Sequence, residues 1–423
     1  CKDKAERVVL LMGLEPPLSH AVTGEVNTLL ERSVNVASPR LTDFLYGQPP
    51  WGWGFAPQFI KEGNRNTTRL ARDTGALLSL LRKHPGDRRL ELCLAIIQRQ
   101  TQLKSLQMTT DADGRVRFAV NIAGSRTQRH TCHISNTGSG GNLHGTPDGH
   151  KHLFLADDGC ELWNVDLAGA DGWTIGAECA ALGDTRMLDD LRAGLKPAAI
   201  VALLYKYGAP ANGWMHDQLR RALPEVKEPA WLYFTCKKLI WATCYGAGEV
   251  TVSQAIMEDS YKETGTAIYV EAKVCRALQA LVHQRYPGIR RRQQRIAMLL
   301  ERDGALESSN GSRRIFFGRP DDPSTLRDAY SDNPQRMTTY VTELAWWAMW
   351  SDPDNIHVGD SHIAMPALLV HDAILFQAPI ERRAWVAEKL PGWFASEVVI
   401  AGTKVMIPFA ATRGPSWGQQ EPL

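Results

Sequence analysis

The chain of 423 residues is 44% hydrophobic and 22% charged, a balance that excludes a disordered chain and leaves room for two or three domains with well-buried cores. Its formal charge of +2 is close to neutral, so any polyanion-binding surface has to come from an uneven distribution of Lys and Arg. Eight scattered cysteines without a CxxC pair exclude a secreted disulfide framework and fit a reducing, intracellular compartment.

Residues 1 to 108 read as mostly helical with irregular joins, through EVNTLLERSV, PRLTDFLYG, NTTRLARDTGALLSLLRKH and DRRLELCLAIIQRQTQLKSLQ. In the last of these, Leu90, Cys93, Leu94, Ile97, Leu103 and Leu106 recur at a helical period and leave one stripe to bury. QPPWGWGFAP is a loop in which Pro and Gly punctuate large aromatics. LQMTTDADGRVRFAVNIAG reads as a hairpin turned at Asp113-Gly114.

From about residue 151 the pattern becomes strand then helix, with Phe154 to Asp166 running into DLAGADGWTIGAECAALG. Residues 186 to 310 are helical and polar-surfaced, and they read as an insertion because strands resume only near 313 and dominate HIAMPALLVHDAILFQAPI. VVIAGTKVMIPFAATRGPSWG is expected to return to the same sheet. Three basic clusters, RNTTRLARD from Arg65, GIRRRQQR with arginines from Arg290 to Arg295, and SRRIFFGR from Ser312, are either solvated helix faces or polyanion contacts. No apolar run reaches a membrane span, the opening CKDKAERVVLLMG lacks the apolar core of a signal peptide, and the initial Cys reads as the start of a fragment or processed product.

Asp166 and Asp372 each stand at the end of an apolar strand-like run. A single Asp there is usually a turn or cap residue. Two brought together make a clamp for two metal ions, which phosphoryl transfer needs because its transition state spreads negative charge over several oxygens. Between them, Pro229 and Gly246 bound a helix on which Tyr233, Lys237, Trp241 and Tyr245 recur every fourth residue, along one face with a drift of about 40° per step. Such a face suits either a packed helix with a snorkelling lysine or a triphosphate beside Lys237 with a base stacked on Trp241.

Five segments in order, over roughly residues 35 to 417, resemble the polymerase core of family A DNA polymerases, in a divergent, phage-like form without room for a proofreading domain. The resemblance implies an α+β right-hand fold with an antiparallel palm sheet and mostly helical thumb and fingers. Residues 1–108 would be lead-in helices and a partial thumb, 109–185 the first part of the palm, 186–312 the fingers and 313–423 the rest of the palm. DLAGADG is similar to motif A, implying that Asp166 and the Leu167 backbone carbonyl hold metal and that Asp171 positions the incoming sugar. KKLIWATCYGAG is similar to motif B, with Lys237 on the triphosphate and Trp241 and Tyr245 on the nascent pair, and VHDA to motif C, with His371 at the primer end and Asp372 on the metals. RTQRHTCHISNTGSGGNLHG and RDAYSDNPQRMTTYV resemble the segments that place Arg129, Asn142, Arg327 and Gln335 on primer and template.

The implied activity is template-directed addition of deoxynucleotides to a primer 3′-hydroxyl, with two Mg2+ ions for which Mn2+ substitutes. Primed DNA and deoxynucleoside triphosphates are the implied partners, with replication proteins beside them, no membrane, and a bacterial cytoplasm, nucleoid or organelle as the setting. The departures from the pattern are Asp171 for Glu, Tyr233 for an Arg that Lys238 or Arg221 would have to replace, Ala373 for Glu and His144 for Gln. They keep open relaxed sugar choice, RNA-template use, and an inactive protein that binds primed nucleic acid. The cluster His130, Cys132, His133, His144, His150 and His152 lacks the paired spacing of a zinc site.

Overall fold

The computed structural model describes residues 40–61, 68–106, 108–227, 229–356 and 362–423. The segment EVNTLLERSV and the start of the first basic cluster, Arg65, lie outside the described residues. The chain divides into two units, one of residues before Met108 together with Gln254–Tyr269, the other of Met108–Ser253 and Val270–Leu423.

In the first unit the helices Arg40–Tyr46, Thr74–Lys83 and Arg88–Leu106 bury Leu41, Leu45, Leu77, Leu80, Leu90 and Leu94 against Met257 and Tyr261. Thr68–Leu70, expected as the start of a helix, is instead a short strand paired antiparallel with Phe59–Lys61. The helix begins only at Thr74, where Asp73 accepts from the Ala76 N–H at 2.9 Å and so caps it. The aromatic loop folds back on the first helix, with Trp53 and Phe55 N–H groups donating to the Phe44 and Leu45 carbonyls. That return needs two glycines, because a Cβ on Gly52 would lie 2.3 Å from the Gly47 carbonyl oxygen.

The second unit is organised by a five-stranded antiparallel sheet. Its central strand, Cys160–Leu167, lies between Ala373–Pro379, which pairs with Met365–Val370, and Phe409–Gly414, which pairs with Glu421–Pro422. CELWNVDL suits a central position because both faces are apolar. Trp163 and Val165 pack with Ile374, Phe376, Val386 and Phe394, whereas Leu162 packs with Leu143, Leu368, Leu375 and Trp417 on the other side. Trp163 is fully buried and stacks on Phe376 at 5.9 Å, so its truncation to Ala would cost about 3–5 kcal/mol.

Two strand expectations are corrected. Asp113-Gly114 does form a tight turn, but Phe118–Asn121 pairs with Thr131–Ile134 and not with the residues before that turn. The Asp111 and Asp113 carboxylates hold Arg117 instead, and Thr109 bridges to Gly140. Likewise Glu397–Ile400 and Thr403–Met406 form a separate hairpin, and only Phe409–Gly414 rejoins the sheet. Ala401 and Gly402 both take positive φ (47° and 80°), the two-residue turn that matches strand twist and closes that hairpin on itself.

The inserted block is mainly helical as expected and includes the helices Ala230–Cys244 and Gly288–Asp303, but a strand appears before residue 313, at Ala305–Glu307, paired with Arg313–Ile315. The helix Pro323–Ser351 follows, with Asp322 capping Ser324 and Thr325 N–H groups and Pro323 in its first turn. Pro334 inside it has no N–H for the Tyr330 carbonyl; Arg292 from Gly288–Asp303 donates to that carbonyl at 2.7 Å. Arg292 also pairs with Glu178, which accepts from Asn333. One arginine of the cluster left open between a solvated face and a polyanion contact is thus a buried staple, while Arg290, Arg291 and Arg295 are exposed. In the third cluster Arg314 pairs with Asp328 and the buried Asp332.

Candidate active site

The register of the sheet brings the two strand-end aspartates together. Asp166 stands opposite Ala373 on one side and Ala410 on the other, and the Leu167 N–H donates to the Asp372 carbonyl at 2.9 Å. Directly opposed residues of an antiparallel pair share a face, so the neighbours of Asp166 across both strands are small methyl groups. Asp372 follows His371 in the two-residue loop between Met365–Val370 and Ala373–Pro379. His371 takes φ +57°, a left-handed conformation that histidine tolerates better than most residues and that exposes its ring at the loop tip.

Electrostatically the pair is under tension. Partial burial, then the neighbouring Asp372 charge and a hydrogen bond shared with it, push the Asp166 carboxyl up to about 7. Among the described residues, neither carboxylate is ion-paired, and no group of three or more His, Cys, Asp and Glu side chains is arranged to hold a metal.

The sequence places Asp171 in the first turn of the helix Ala170–Ala181, directly after the central strand. Its carboxylate accepts from the Tyr245 hydroxyl at 2.5 Å and from the Thr338 hydroxyl at 2.8 Å. Burial, then the Asp171 charge, raises the Tyr245 pKa well above the ordinary phenol value and keeps it a donor. Tyr245 caps the helix Ala230–Cys244, whose last carbonyls, of Thr243 and Cys244, accept from the Gln293 amide. On this helix Leu232, Cys236, Leu239 and Ile240 are buried and Lys237 is exposed, so the four-residue face with Tyr233, Lys237, Trp241 and Tyr245 looks away from its own core. Trp241 lies over Gly172, where an added Cβ would come within 2.6 Å of the indole. At the next step a Cβ on Gly246 would lie 2.9 Å from the Tyr330 ring.

The expected residues therefore divide. Asp166, Leu167, Asp372 and His371 meet at one end of the sheet, and Arg129 lies within electrostatic reach of His371, its Nε buried without a partner. Asp171, Tyr245 and, through Gly172, Trp241 form an adjoining cluster. Lys237 is two helical turns before Tyr245, about 12 Å along the axis. Asn142 is exposed before a short 3-10 turn, Arg327 lies in the second turn of the long helix and Gln335 nearer its middle, and among the described residues none of the three is hydrogen-bonded or ion-paired to the carboxylate pair. In the His/Cys cluster, Cys132 and His144 approach to 3.2 Å, and His144 Nε2 lies 2.8 Å from the Leu369 carbonyl, a hydrogen-bonded packing role. Thr338, Gly172 and Ala410 were not legible as site residues, since each matters only through a tertiary neighbour. Pro334, a proline within a helical pattern, is a further signal that the long helix carries special contacts.

No family model and no curated protein sequence matches this chain. Among solved structures, the POL domain of Pol1 from M. smegmatis, in complex with DNA primer-template and dNTP, is similar with a TM-score of 0.64 at 17% identity. The match covers 91% of this chain and 61% of that one, so the chain spans less than two thirds of the Pol1 structure. The two share a fold: α+β, with mixed helical and antiparallel-sheet regions, as expected for a polymerase core.

Proposed function

We propose that this protein is a template-directed DNA polymerase. The observation that carries the reading is the register that sets Asp166 beside Asp372 at the end of one sheet, next to an acid hydrogen-bonded to the end of the lysine helix. Residues 109–185 and 313–423 would form the palm, 186–312 the fingers and 1–108 a partial thumb. The free thiols of the seven described cysteines are in keeping with a reducing, intracellular setting.

The carboxylate pair fits divalent cations. Two crowded acids, with small alanines opposite Asp166 on both neighbouring strands, offer hard oxygen ligands. Mg2+ is commonly held by one or two carboxylates, waters and substrate phosphates, so a larger protein ligand set is not required. Asp166, Asp372 and the Leu167 carbonyl would hold Mg2+, or Mn2+ in its place. When bound, these ions supply positive charge against that developing on the phosphoryl oxygens.

The chain's own groups then act on a nucleotide and a primer end. Lys237 pairs with the triphosphate as a point charge and donates a proton to the departing pyrophosphate, while Trp241 and Tyr245 press on the base. Asp171 borders the sugar, and His371 with Arg129 orients the primer terminus. Arg327 and Gln335 read the minor groove, where acceptor positions hardly depend on base identity, and Asn142 steadies the template backbone. Selection then comes from pairing, and binding to primed DNA is independent of sequence. A second reading, relaxed sugar choice, is favoured by the short Asp171 side chain.

The test is extension of a labelled primer on DNA and RNA templates with deoxy- or ribonucleotides in Mg2+ and Mn2+, beside Asp372→Asn. Extension by the parent that disappears in the variant supports the reading and reports its sugar and template. Tight primer binding without extension in either metal overturns it in favour of a non-catalytic nucleic-acid-binding protein.

A further inference from the structure

We infer that Thr338 is a positioning residue that sets sugar selectivity by fixing the Asp171 carboxylate. The inference rests on the polymerase reading and deepens it, and its argument starts from how an aspartate behaves at its position. In the first turn of a helix a short carboxylate tends to turn back onto the nearby free backbone N–H groups. Asp171 does not. Both of its oxygens accept from hydroxyls on other elements, Tyr245 at the end of the helix Ala230–Cys244 and Thr338 in the middle of the long helix.

Thr338 is well placed to act as a fixed anchor. It is 2% exposed, and the neighbouring Met337 and Val341 pack in one cluster with Ala170 and Trp173, on the helix that carries Asp171. Its hydroxyl lies 2.8 Å from Asp171 Oδ1 and 3.0 Å from the Pro334 carbonyl. The anchor therefore moves only with the shared core, and the carboxylate plane is held by one fixed donor and one donor at the rim of the nucleotide face.

A carboxylate held at both oxygens keeps its plane and cannot turn to accept from a ribose 2′-hydroxyl. Releasing one oxygen restores that rotation and gives a ribonucleotide an acceptor that a deoxynucleotide cannot use. Loss of the Thr338 hydroxyl thus relaxes sugar choice without touching the phosphate or base contacts. The expected size is about tenfold, the worth of one good hydrogen bond to a charged group.

The experiment compares kcat/KM for a deoxy- and a ribonucleotide, on one primer and template, for the parent, Thr338→Val and Thr338→Ser, with melting curves to show that each is folded. The expected result is a deoxy-over-ribo preference that falls about tenfold in Thr338→Val, mainly through a gain with the ribonucleotide, and recovers in Thr338→Ser. Thr338→Ala replaces the valine variant if that one does not fold. A parallel fall with both nucleotides at an unchanged ratio overturns the inference alone and leaves Thr338 a packing residue. Absence of extension by the parent overturns the polymerase reading and this inference with it.

Discussion

Asp190 and Asp166 belong to the same unit and are treated in opposite ways. Asp190 is 1% exposed and fully provided for: Arg285 donates from Nε and Nη2, the Tyr286 hydroxyl donates at 3.0 Å, and His216 Nε2 lies 3.0 Å away. Asp166, half-buried at the end of the central strand, faces a second carboxylate. A buried charge provided with donors by its own fold is part of the framework, and removing one partner is costly. A carboxylate crowded against another raises its own pKa, and such perturbed groups gather where chemistry is done. The two also differ in burial, but it is their partners that distinguish framework from site.

The sharpest way to break this comparison is to make the same change at both kinds of site. Asp372→Asn is expected to reduce primer extension by at least about a thousandfold while leaving the melting temperature unchanged or higher. Asp190→Asn is expected to lower stability by about 3–5 kcal/mol, because it leaves Arg285 buried without its counter-charge, as chemical denaturation will read. Equal destabilisation by both changes would erase the distinction.

The next effect is on pH dependence. In protein stripped of divalent ions, folded Asp166 binds its proton up to about pH 7, whereas an unfolded aspartate loses it near 3.9. The native state holds more protons across that window, so this group's contribution to stability falls as pH rises from about 4 to 7. His283, pushed down to about 4 by burial and then by Arg290, acts in the opposite sense between about pH 4 and 6.5. The readout is therefore the difference between parent and Asp166→Asn: melting curves should converge at low pH and separate towards pH 7, with the variant more stable by about 1–2 kcal/mol. Added Mg2+ should close the gap by stabilising only the parent.

The smallest effect tests the neighbouring cluster. Gly172→Ala places a methyl against the Trp241 indole and should raise the KM for nucleotide a fewfold, with stability changed by about 1–3 kcal/mol. An unchanged KM would detach Trp241 from the nucleotide.

Much of this arrangement was legible from local chemistry. Asp166 and Asp372 could be singled out because each ends an apolar run, and the bounds of the lysine helix because Pro229 and Gly246 are positional signals. That Lys237 shares a helix face with Tyr233, Trp241 and Tyr245 followed from a four-residue period, although only the lysine is exposed. What was not legible depends on residues distant in sequence. Arg292 looks like any arginine in a basic run until Pro334 leaves the Tyr330 carbonyl without its N–H. The partner of Phe118–Asn121 could not be found from the Asp113-Gly114 turn, because that turn is held by the Arg117 side chain rather than by a strand pair. Thr338 gave no signal, since a threonine inside a helix normally bonds back to its own backbone, whereas this one's single proton lies between the Pro334 carbonyl at 3.0 Å and the closer Asp171 carboxylate at 2.8 Å.

The two-sided burial of Cys160–Leu167 also has a consequence during synthesis. Both strands that flank it, and the helix Arg383–Phe394 that supplies Val386 and Phe394 to its core, leave the ribosome only after roughly 200 further residues, on the order of 10–40 s at ordinary elongation rates. Through that interval an apolar strand with two unpaired edges has no native partner. The sheet that assembles the carboxylates therefore cannot close until those later strands emerge, and its central strand needs protection while it waits.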